Sequence, residues 1–505
     1  MTALSPEQTI AVIGAGAMGA GVAQVAAKAG HSVLLYDQAD GAAAAAIERI
    51  ARGLDRLVER GRMSADEQQA LVGRIRPVDR LEQVQPAALI IEAIVEDLDI
   101  KQQLFLQLES IAPQAILASN TSSLSITAIG SALERPQRLL GMHFFNPAPI
   151  MKLVEIISGL ASDPALADCL FATAEAWGKR AVHAKSTPGF IVNRVARPYY
   201  AEALRLLQEG AADVATLDAL YREAGGFRMG PFELMDLIGH DVNYAVTASV
   251  HAAYYGDPRF TPSLIQKELV DAGWLGRKSG RGFYDYSEQA GQPLPATAEA
   301  ADAPDEVSLI APPTLLPVFK GLLEQAGITH SASEGEECSL ICDAFTLCLT
   351  DGRMASVRAR EDNRKNLLLF DLALDYGSCS RIALAAADQA DADALRLATG
   401  LWQKLGKAVS LIEDVAGMVL MRSVCMLANE AADAVNQQVC SAEGVDTAMQ
   451  AGVNYPRGPL AWADAIGIEA VLGVLDNLQH NYGEDRYRAS PLLLRKAAAG
   501  VRFHD

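Results

Sequence analysis

The run Thr9-Ile-Ala-Val-Ile-Gly14-Ala-Gly16-Ala-Met-Gly19 decides the fold of this chain. Thr9–Ile13 reads as a short buried strand, and Ala17–Gly30 beyond it as an alanine-rich helix. Gly14 permits a tight turn between them, Gly16 lets the backbone approach a pyrophosphate, and Gly19 lets the helix pack close on the strand. The helix N-terminus then faces the phosphates with its free N–H groups. Ser32–Tyr36 is a second strand, ending at Asp37, 18 residues past Gly19. A carboxylate there accepts ribose hydroxyls and repels a 2′-phosphate, and Gln38-Ala39 brings no arginine to receive one. The run is read as a dinucleotide site that prefers NAD to NADP.

Further along, strand and helix signals keep alternating. Ala88–Ile91, Ala115–Ala118 and Arg138–Phe144 are strand candidates, and residues 42–72 form a charged helical excursion from the sheet. From Gly189 to about Asp285 the pattern turns mostly helical, and residues 287–306 have the Ala, Pro, Gln and acidic composition of a linker. A repeat lies beyond it. Gly178-Lys179 recurs as Gly406-Lys407, Arg194 as Arg422, Glu202 as Glu430, Asp218 as Asp446, Gly230-Pro231 as Gly458-Pro459 and Asp236 as Asp464, all at one offset of 228 positions. So long a register predicts two copies of one helical module.

The expected fold is α/β: an N-terminal Rossmann-type doubly wound sheet, an all-α domain, a degenerate α/β segment, and a second copy of the all-α domain. The boundaries are 1–186 for the NAD-binding domain, 187–286 for the helical domain and 287–306 for the linker. The degenerate segment, which has no glycine-rich turn, takes 307–409, and the second helical copy 410–505.

Composition narrows the partners. The 505 residues carry 43 basic and 62 acidic side chains, a net charge of -19, which argues against nucleic acid and anionic membrane. An anionic small molecule needs only a local basic patch. Seven cysteines, an odd number without paired CxxC spacing, suggest neither a disulfide framework nor a metal site. With no signal-peptide pattern and no run of 18 apolar residues, the expected location is the cytoplasm.

A second stretch carries chemistry: Gly141-Met-His-Phe-Phe-Asn-Pro-Ala-Pro-Ile-Met-Lys-Leu-Val-Glu155. His143 and Glu155 stand twelve positions apart among strand-like residues, and Asn146-Pro147 and Pro149 let the chain turn back between them. Glu155 is thereby expected against the His143 ring, where a carboxylate fixes the tautomer and supports positive charge on the imidazole.

With these two stretches and Ser119-Asn-Thr-Ser-Ser-Leu124, the chain resembles the 3-hydroxyacyl-CoA dehydrogenase family over residues 8–286, through Gly276-Arg-Lys-Ser-Gly-Arg-Gly-Phe-Tyr284. The repeat resembles long bacterial members with a duplicated C-terminal domain, including those of phenylacetate breakdown. The resemblance implies an NAD-dependent oxidoreductase acting on an acyl-CoA thioester in fatty acid or phenylacetate catabolism, with 3-hydroxyadipyl-CoA as one possible substrate. It places the catalytic histidine on His143, its partner on Glu155, and the substrate-holding serine and asparagine on Ser122 and Asn193. Gly14, Gly16, Gly19 and Asp37 match the dinucleotide site. Glu96 and Lys101 match positions lining the cofactor and substrate cleft, and Asn120 and Asn146 positions near the nicotinamide. Relatives bind coenzyme A with a serine and lysines around 42–72, whereas this segment has no lysine, so its coenzyme A contacts stay open.

The chemistry expected of this set is removal of the C3 hydroxyl proton by His143 while hydride leaves C3. Ser122 and Asn193 would orient the substrate oxygens. Two other readings stand beside it: a dehydrogenase of free hydroxy acids, and a crystallin-like non-catalytic relative. In the second copy Met421 replaces Asn193, and no counterpart of the His143–Glu155 run is evident, so one active site per chain is expected. Because single-domain relatives pair their helical domains across a dimer, the second copy is expected to pack on the first as an internal pseudo-dimer; a homo-oligomer is a further possibility.

Overall fold

The computed structural model describes residues 2–504, which divide into two compact units. The first comprises Met1–Arg194 and Ala434–Val453, the second Val195–Asp433 and Asn454–Asp505.

The first unit is built on eight strands: β1 (Ile10–Ile13), β2 (Val33–Tyr36), β3 (Ile75–Val78), β4 (Leu89–Glu92), β5 (Ile116–Ser119), β6 (Leu139–Phe144), β7 (Leu153–Ser158) and β8 (Arg180–Lys185). Their order is β3-β2-β1-β4-β5-β6-β7-β8. Strands β1 to β6 run parallel, β7 turns back antiparallel to β6, and β8 runs parallel to β7. The sequences explain the placement. Ile10–Ile13 and Leu89–Glu92 are buried throughout, as central strands covered on both faces must be. In β3, Arg76 and Pro77 are exposed; proline lacks a ladder donor and suits this edge position. A four-residue strand containing proline gives little signal, which is why β3 was not anticipated from sequence. The excursion is a pair of helices, Ala42–Glu59 and Ala65–Gly73, the second opened by a capping box between Ser64 and Glu67. Helix Ala442–Val453 packs against β7 and β8, so closely that a Cβ on Gly452 would lie 2.5 Å from the Leu153 side chain.

The second unit opens with helices Arg197–Gln208, Val214–Glu223, Pro231–Ile238, His240–Ala253 and Leu264–Asp271. The expected linker has no regular secondary structure up to Asp305, yet it does not swing free. Ala296 N–H donates to Thr216 Oγ1 and Ala298 N–H to the Val409 carbonyl, both at 2.8 Å. Gly400 lies so near the Asp302 carbonyl that a Cβ would be 2.1 Å away. Its composition signalled a lack of helix and strand; its backbone partners lie far off in sequence.

The second sheet holds β9 (Glu306–Ala311), β10 (Thr329–Glu334), β11 (Ser339–Ile341), β12 (Thr346–Leu349), β13 (Leu367–Phe370), β14 (Arg381–Ala386) and β15 (Ala408–Leu411). The order is β10-β9-β11-β12-β13-β14-β15, with parallel and antiparallel pairs mixed. The offset of 228 carries β7 onto β14 residue for residue, and helix Pro164–Ala176 onto Ala392–Lys404. It also sets β13 on the first four residues of β6, and β15 on the first four of β8. The repeat thus reaches back further than the sequence matches disclosed. Backbone conformation repeats too: Gly189 and Phe190 have φ of 74° and 47°, Gly417 and Met418 of 74° and 51°.

Within the second unit, side chains from residues 195–286 meet side chains of the second copy. Buried Arg422 donates to Glu202 at 2.7 Å and to Glu209 at 2.9 Å, and Arg259 pairs with Glu430 and Asp433. Pairing of this kind offsets the cost of taking these charges out of water.

Candidate active site

The glycine turn stands where the spacing put it. Gly14 has φ of 102°, and a Cβ there would lie 2.5 Å from the Ala93 carbonyl oxygen. At Gly19 a Cβ would lie 1.8 Å from the Gly14 carbonyl oxygen, so only glycine permits the close helix. At Gly16 a Cβ would meet nothing within 4 Å: the space above that backbone is open, as a cradle for a diphosphate requires. Gly14, Gly16 and Asp37 border a cavity of about 770 Å³ that also takes in Gln38, Leu81 and Gln107. Asp37 closes the turn, accepting Ala15 N–H at 2.6 Å through Oδ2 and Ala39 N–H at 2.9 Å through Oδ1. Arg49, which sequence reading passed over, donates to the Ala15 carbonyl at 2.9 Å. Open cradle, cavity and carboxylate together fit a dinucleotide.

His143 and Glu155 are register partners across the antiparallel β6/β7 pair. The ring Nδ1 lies 2.6 Å from Glu155 Oε2, with both residues buried. The other oxygen, Oε1, accepts the N–H groups of Ile191 and Val192 at 3.0 Å. Glu155 is therefore fixed at both ends, and Nδ1 is committed to it, which leaves Nε2 for a reacting group. Phe145 and Phe190 pack against the ring, with centroids 4.6 and 5.9 Å away. The turn between the strands begins at the cis peptide Asn146–Pro147. Buried Lys179 pins it by donating to the Ala148 and Met151 carbonyls at 2.5 and 2.8 Å. Burial, with Lys28 adding to the effect, brings its ammonium down to about 8.

Ser122 sits in an exposed turn after β5, organised by one carboxylate oxygen. Glu96 Oε1 accepts the Thr121 hydroxyl at 2.6 Å, the N–H groups of Ser122 and Ser123 at 2.9 and 3.0 Å, and the Ser123 hydroxyl at 2.9 Å. Burial works to raise the Glu96 pKa, but Thr121, Lys101 and these donors hold it below its ordinary value. The following helix is capped by Ser125, whose hydroxyl accepts Ala128 N–H at 3.2 Å, so capping does not occupy Ser122. Asn193 Nδ2 reaches the Ser122 carbonyl at 3.5 Å, a long contact that joins the two candidates. Asn120 accepts Phe144 N–H at 2.8 Å, next to His143, while Asn146 is exposed.

Lys101 does not face open space. It is 1% exposed, its Nζ 2.5 Å from Glu92 Oε1 and 3.4 Å from Glu96 Oε2. Its place is behind the serine turn, as a counter-charge. Glu92, wholly buried, also accepts the Ser119 hydroxyl at 2.6 Å. Glu92, Thr121 and Lys179 are the supporting residues that sequence reading missed; a charge ending the apolar run Leu89–Glu92 was the available signal.

The second sheet offers a contrast. Asp371 follows β13 and pairs through its N–H with the Ala383 carbonyl, so this strand pair does have the place that His143 and Glu155 hold in the first sheet. The sequence suggested no such counterpart because neither side chain survives. The nearby cavity, about 410 Å³, is lined by Glu336, Glu337, Asp351 and Asp375 against two arginines, Arg358 and Arg457, with no glycine turn. An excess of carboxylates over arginines disfavours a diphosphate there.

Comparison with known proteins agrees with this geometry. The 3-hydroxyacyl-CoA dehydrogenase NAD-binding domain matches residues 9–187, and that family's C-terminal domain matches twice, at 189–286 and 417–502. The reduced Rossmann-fold domain of 3-hydroxybutyryl-CoA dehydrogenase matches 347–415. A 3-hydroxyadipyl-CoA dehydrogenase of Escherichia coli (strain K12) is 44% identical over 97% of both chains. A probable 3-hydroxybutyryl-CoA dehydrogenase of Bacillus subtilis (strain 168) is 43% identical over 55% of this chain and 98% of its own. The crystal structure of a 3-hydroxybutyryl-CoA dehydrogenase from Escherichia coli K12 superposes with a TM-score of 0.89 at 42% identity, covering 98% of this chain and 99% of that one. With the glycine cradle and a family match spanning both halves, the chain belongs to the 3-hydroxyacyl-CoA dehydrogenase family, as an NAD-dependent oxidoreductase.

Proposed function

We propose that the chain oxidises a (3S)-3-hydroxyacyl-CoA to the 3-oxoacyl-CoA in the cytoplasm, with His143 and Glu155 as its catalytic pair. The observation that carries this reading is the 2.6 Å hydrogen bond between two buried side chains in strand register. Nε2 of neutral His143 takes the proton of the C3 hydroxyl, and Glu155 stabilises the imidazolium through Nδ1. NAD, when bound, supplies the hydride acceptor. Without proton removal, hydride departure from C3 would leave a protonated carbonyl, a cation of high energy, so the two transfers must be coupled. Ser122 and Asn193 orient the substrate oxygens, on a turn that Glu96 holds rigid with Lys101 behind it. Gly14, Gly16, Gly19 and Asp37 hold the dinucleotide, with Asn120 and Asn146 toward its nicotinamide end.

The relative named for 3-hydroxyadipyl-CoA supports a dicarboxylic substrate, and with it a role in fatty acid or phenylacetate catabolism. The second helical copy packs on the first as an internal pseudo-dimer, a reading supported by Arg422–Glu202 and Arg259–Glu430, and the chain has one active site. The domain boundaries expected from sequence belong to the same reading.

NADH oxidation with acetoacetyl-CoA tests the activity. Turnover is expected; turnover of free oxo acids alone, or none at all, overturns it.

A further inference from the structure

The second unit contains a buried cation that the proposed chemistry does not use. Arg197 opens helix Arg197–Gln208 and is 5% exposed. Its Nη1 donates to Thr247 Oγ1 at 3.0 Å and its guanidinium lies over the Tyr200 ring, 4.9 Å from the centroid. Among the described residues its buried Nε has no hydrogen-bond partner and no carboxylate pairs with it, and burial draws its pKa down. A guanidinium held this way costs several kcal/mol in the absence of an anion.

The space beside it fits one. Arg197 borders a cavity of about 210 Å³ shared with Arg205, Arg486, Ser263 and Gln266. Arg486 is also 5% exposed, and its Nε and the Ser263 hydroxyl lack hydrogen-bond partners. The acidic groups nearby are already engaged. Glu484 accepts Arg205 at 2.9 Å and lies 3.7 Å from Arg486 Nε; Glu202 lies 3.8 Å from Arg486 but 2.7 Å from Arg422. Arg197 remains the surplus positive charge. The rest of the lining mixes Ala201, Leu204 and Pro262 with Gln208 and Thr261, and Leu264 stands exposed at its edge, so apolar surface is at hand for a short methylene chain.

We propose that this cavity is a binding site for the carboxylate of a short aliphatic acid, with Arg197 as its fixed counter-charge. Two sources share this chemistry: the free end of a dicarboxylic acyl chain on the substrate, and a free dicarboxylate. The first source rests on the dehydrogenase reading, whereas the binding site itself does not.

The test uses the full chain and Arg197→Met, which removes the charge and keeps most of the bulk. Calorimetric titration with adipate is expected to show binding to the wild type, and a loss of about tenfold or more in the variant, the effect of one charge-assisted hydrogen-bonding group. KM for 3-hydroxyadipyl-CoA relative to 3-hydroxybutyryl-CoA separates the sources. If the ratio rises by about tenfold or more in the variant, the carboxylate is the substrate's; if only adipate binding falls, it is a free acid. Unchanged adipate affinity together with an unchanged ratio overturns the proposal. Should Arg197→Met fail to fold, Ser263→Leu adds apolar bulk to the lining with Arg197 intact, and the same two readings apply. Absence of turnover on either thioester by the wild type would sink the dehydrogenase reading and leave the adipate titration to decide the cavity.

Discussion

Glu155 and Asp371 accept equivalent pairs of backbone N–H groups in the two copies of the repeat. Glu155 takes those of Ile191 and Val192 at 3.0 Å; Asp371 takes those of Val419 and Leu420, 228 positions on, at 3.0 and 2.7 Å. Yet Asp371 occupies the place of His143, and Ala383 that of Glu155. The second copy keeps the anchoring of its helix but has an aspartate where the first has its imidazole. Asp371 spends both oxygens on amides, since Oδ1 also accepts Met421 and Leu372 N–H.

His143→Gln is expected to lower the oxidation rate constant by about a hundredfold or more, the contribution of a positioned base. Glu155→Gln should lose activity as well, because a neutral amide supports the imidazolium less well. NADH binding, followed by fluorescence, should persist in His143→Gln. Retention of more than about a tenth of the activity by this variant would show that the base lies elsewhere.

Asp37 is expected to set cofactor preference. Its carboxylate repels a 2′-phosphate, so kcat/KM with NADH should clearly exceed that with NADPH. Asp37→Ser combined with Gln38→Arg should narrow the gap. Equal use of both cofactors by the unaltered chain would contradict the assignment.

Titration calorimetry should give one NADH per chain. The first sheet has an open cradle at Gly16, whereas the cavity by the second has no glycine turn and four carboxylates against two arginines. A stoichiometry of two would show that the second sheet has kept its nucleotide site.

Asp371 makes stability depend on pH. Burial, opposed by its four N–H donors, pushes its carboxyl up to about 6, against an ordinary value of 3.8. The folded state thus binds the proton more tightly than the unfolded state. The stabilisation is full below pH ~4 and is lost as pH rises through about 6, up to roughly 3 kcal/mol at ~1.4 kcal/mol per pH unit. Asp371→Asn does not titrate. The stability of the wild type relative to this variant, measured by urea denaturation, should therefore fall between pH 4 and 7. A difference that grows over that interval would contradict the assignment.

Local chemistry was legible where a short segment had only one good conformation. The glycine spacing at Gly14, Gly16 and Gly19 dictates a strand–turn–helix, and the prolines between His143 and Glu155 dictate a return. Illegible features depended on partners distant in the chain. That Lys101 would be buried against Glu92 rather than facing the cleft follows from packing, which no spacing encodes. The same holds for residues 287–305, whose composition says only that they make neither helix nor strand. The repeat was visible in the helical modules and faint in the strands, because buried apolar residues interchange freely at nearly constant volume while caps and turn glycines do not.

Helix Ala442–Val453 covers β7 and β8 of the first unit, and this has a consequence during synthesis. The ribosome must add about 240 residues after Arg194 before the segment from Ala434 emerges, which takes roughly ten to fifty seconds at typical elongation rates. Through that interval the nascent sheet carries a face whose own cover has not been made. Small glycine at 452, nested on Leu153, marks where the late arrival docks. The order of translation and the order of completion therefore differ: the domain begun first is among the last to be finished.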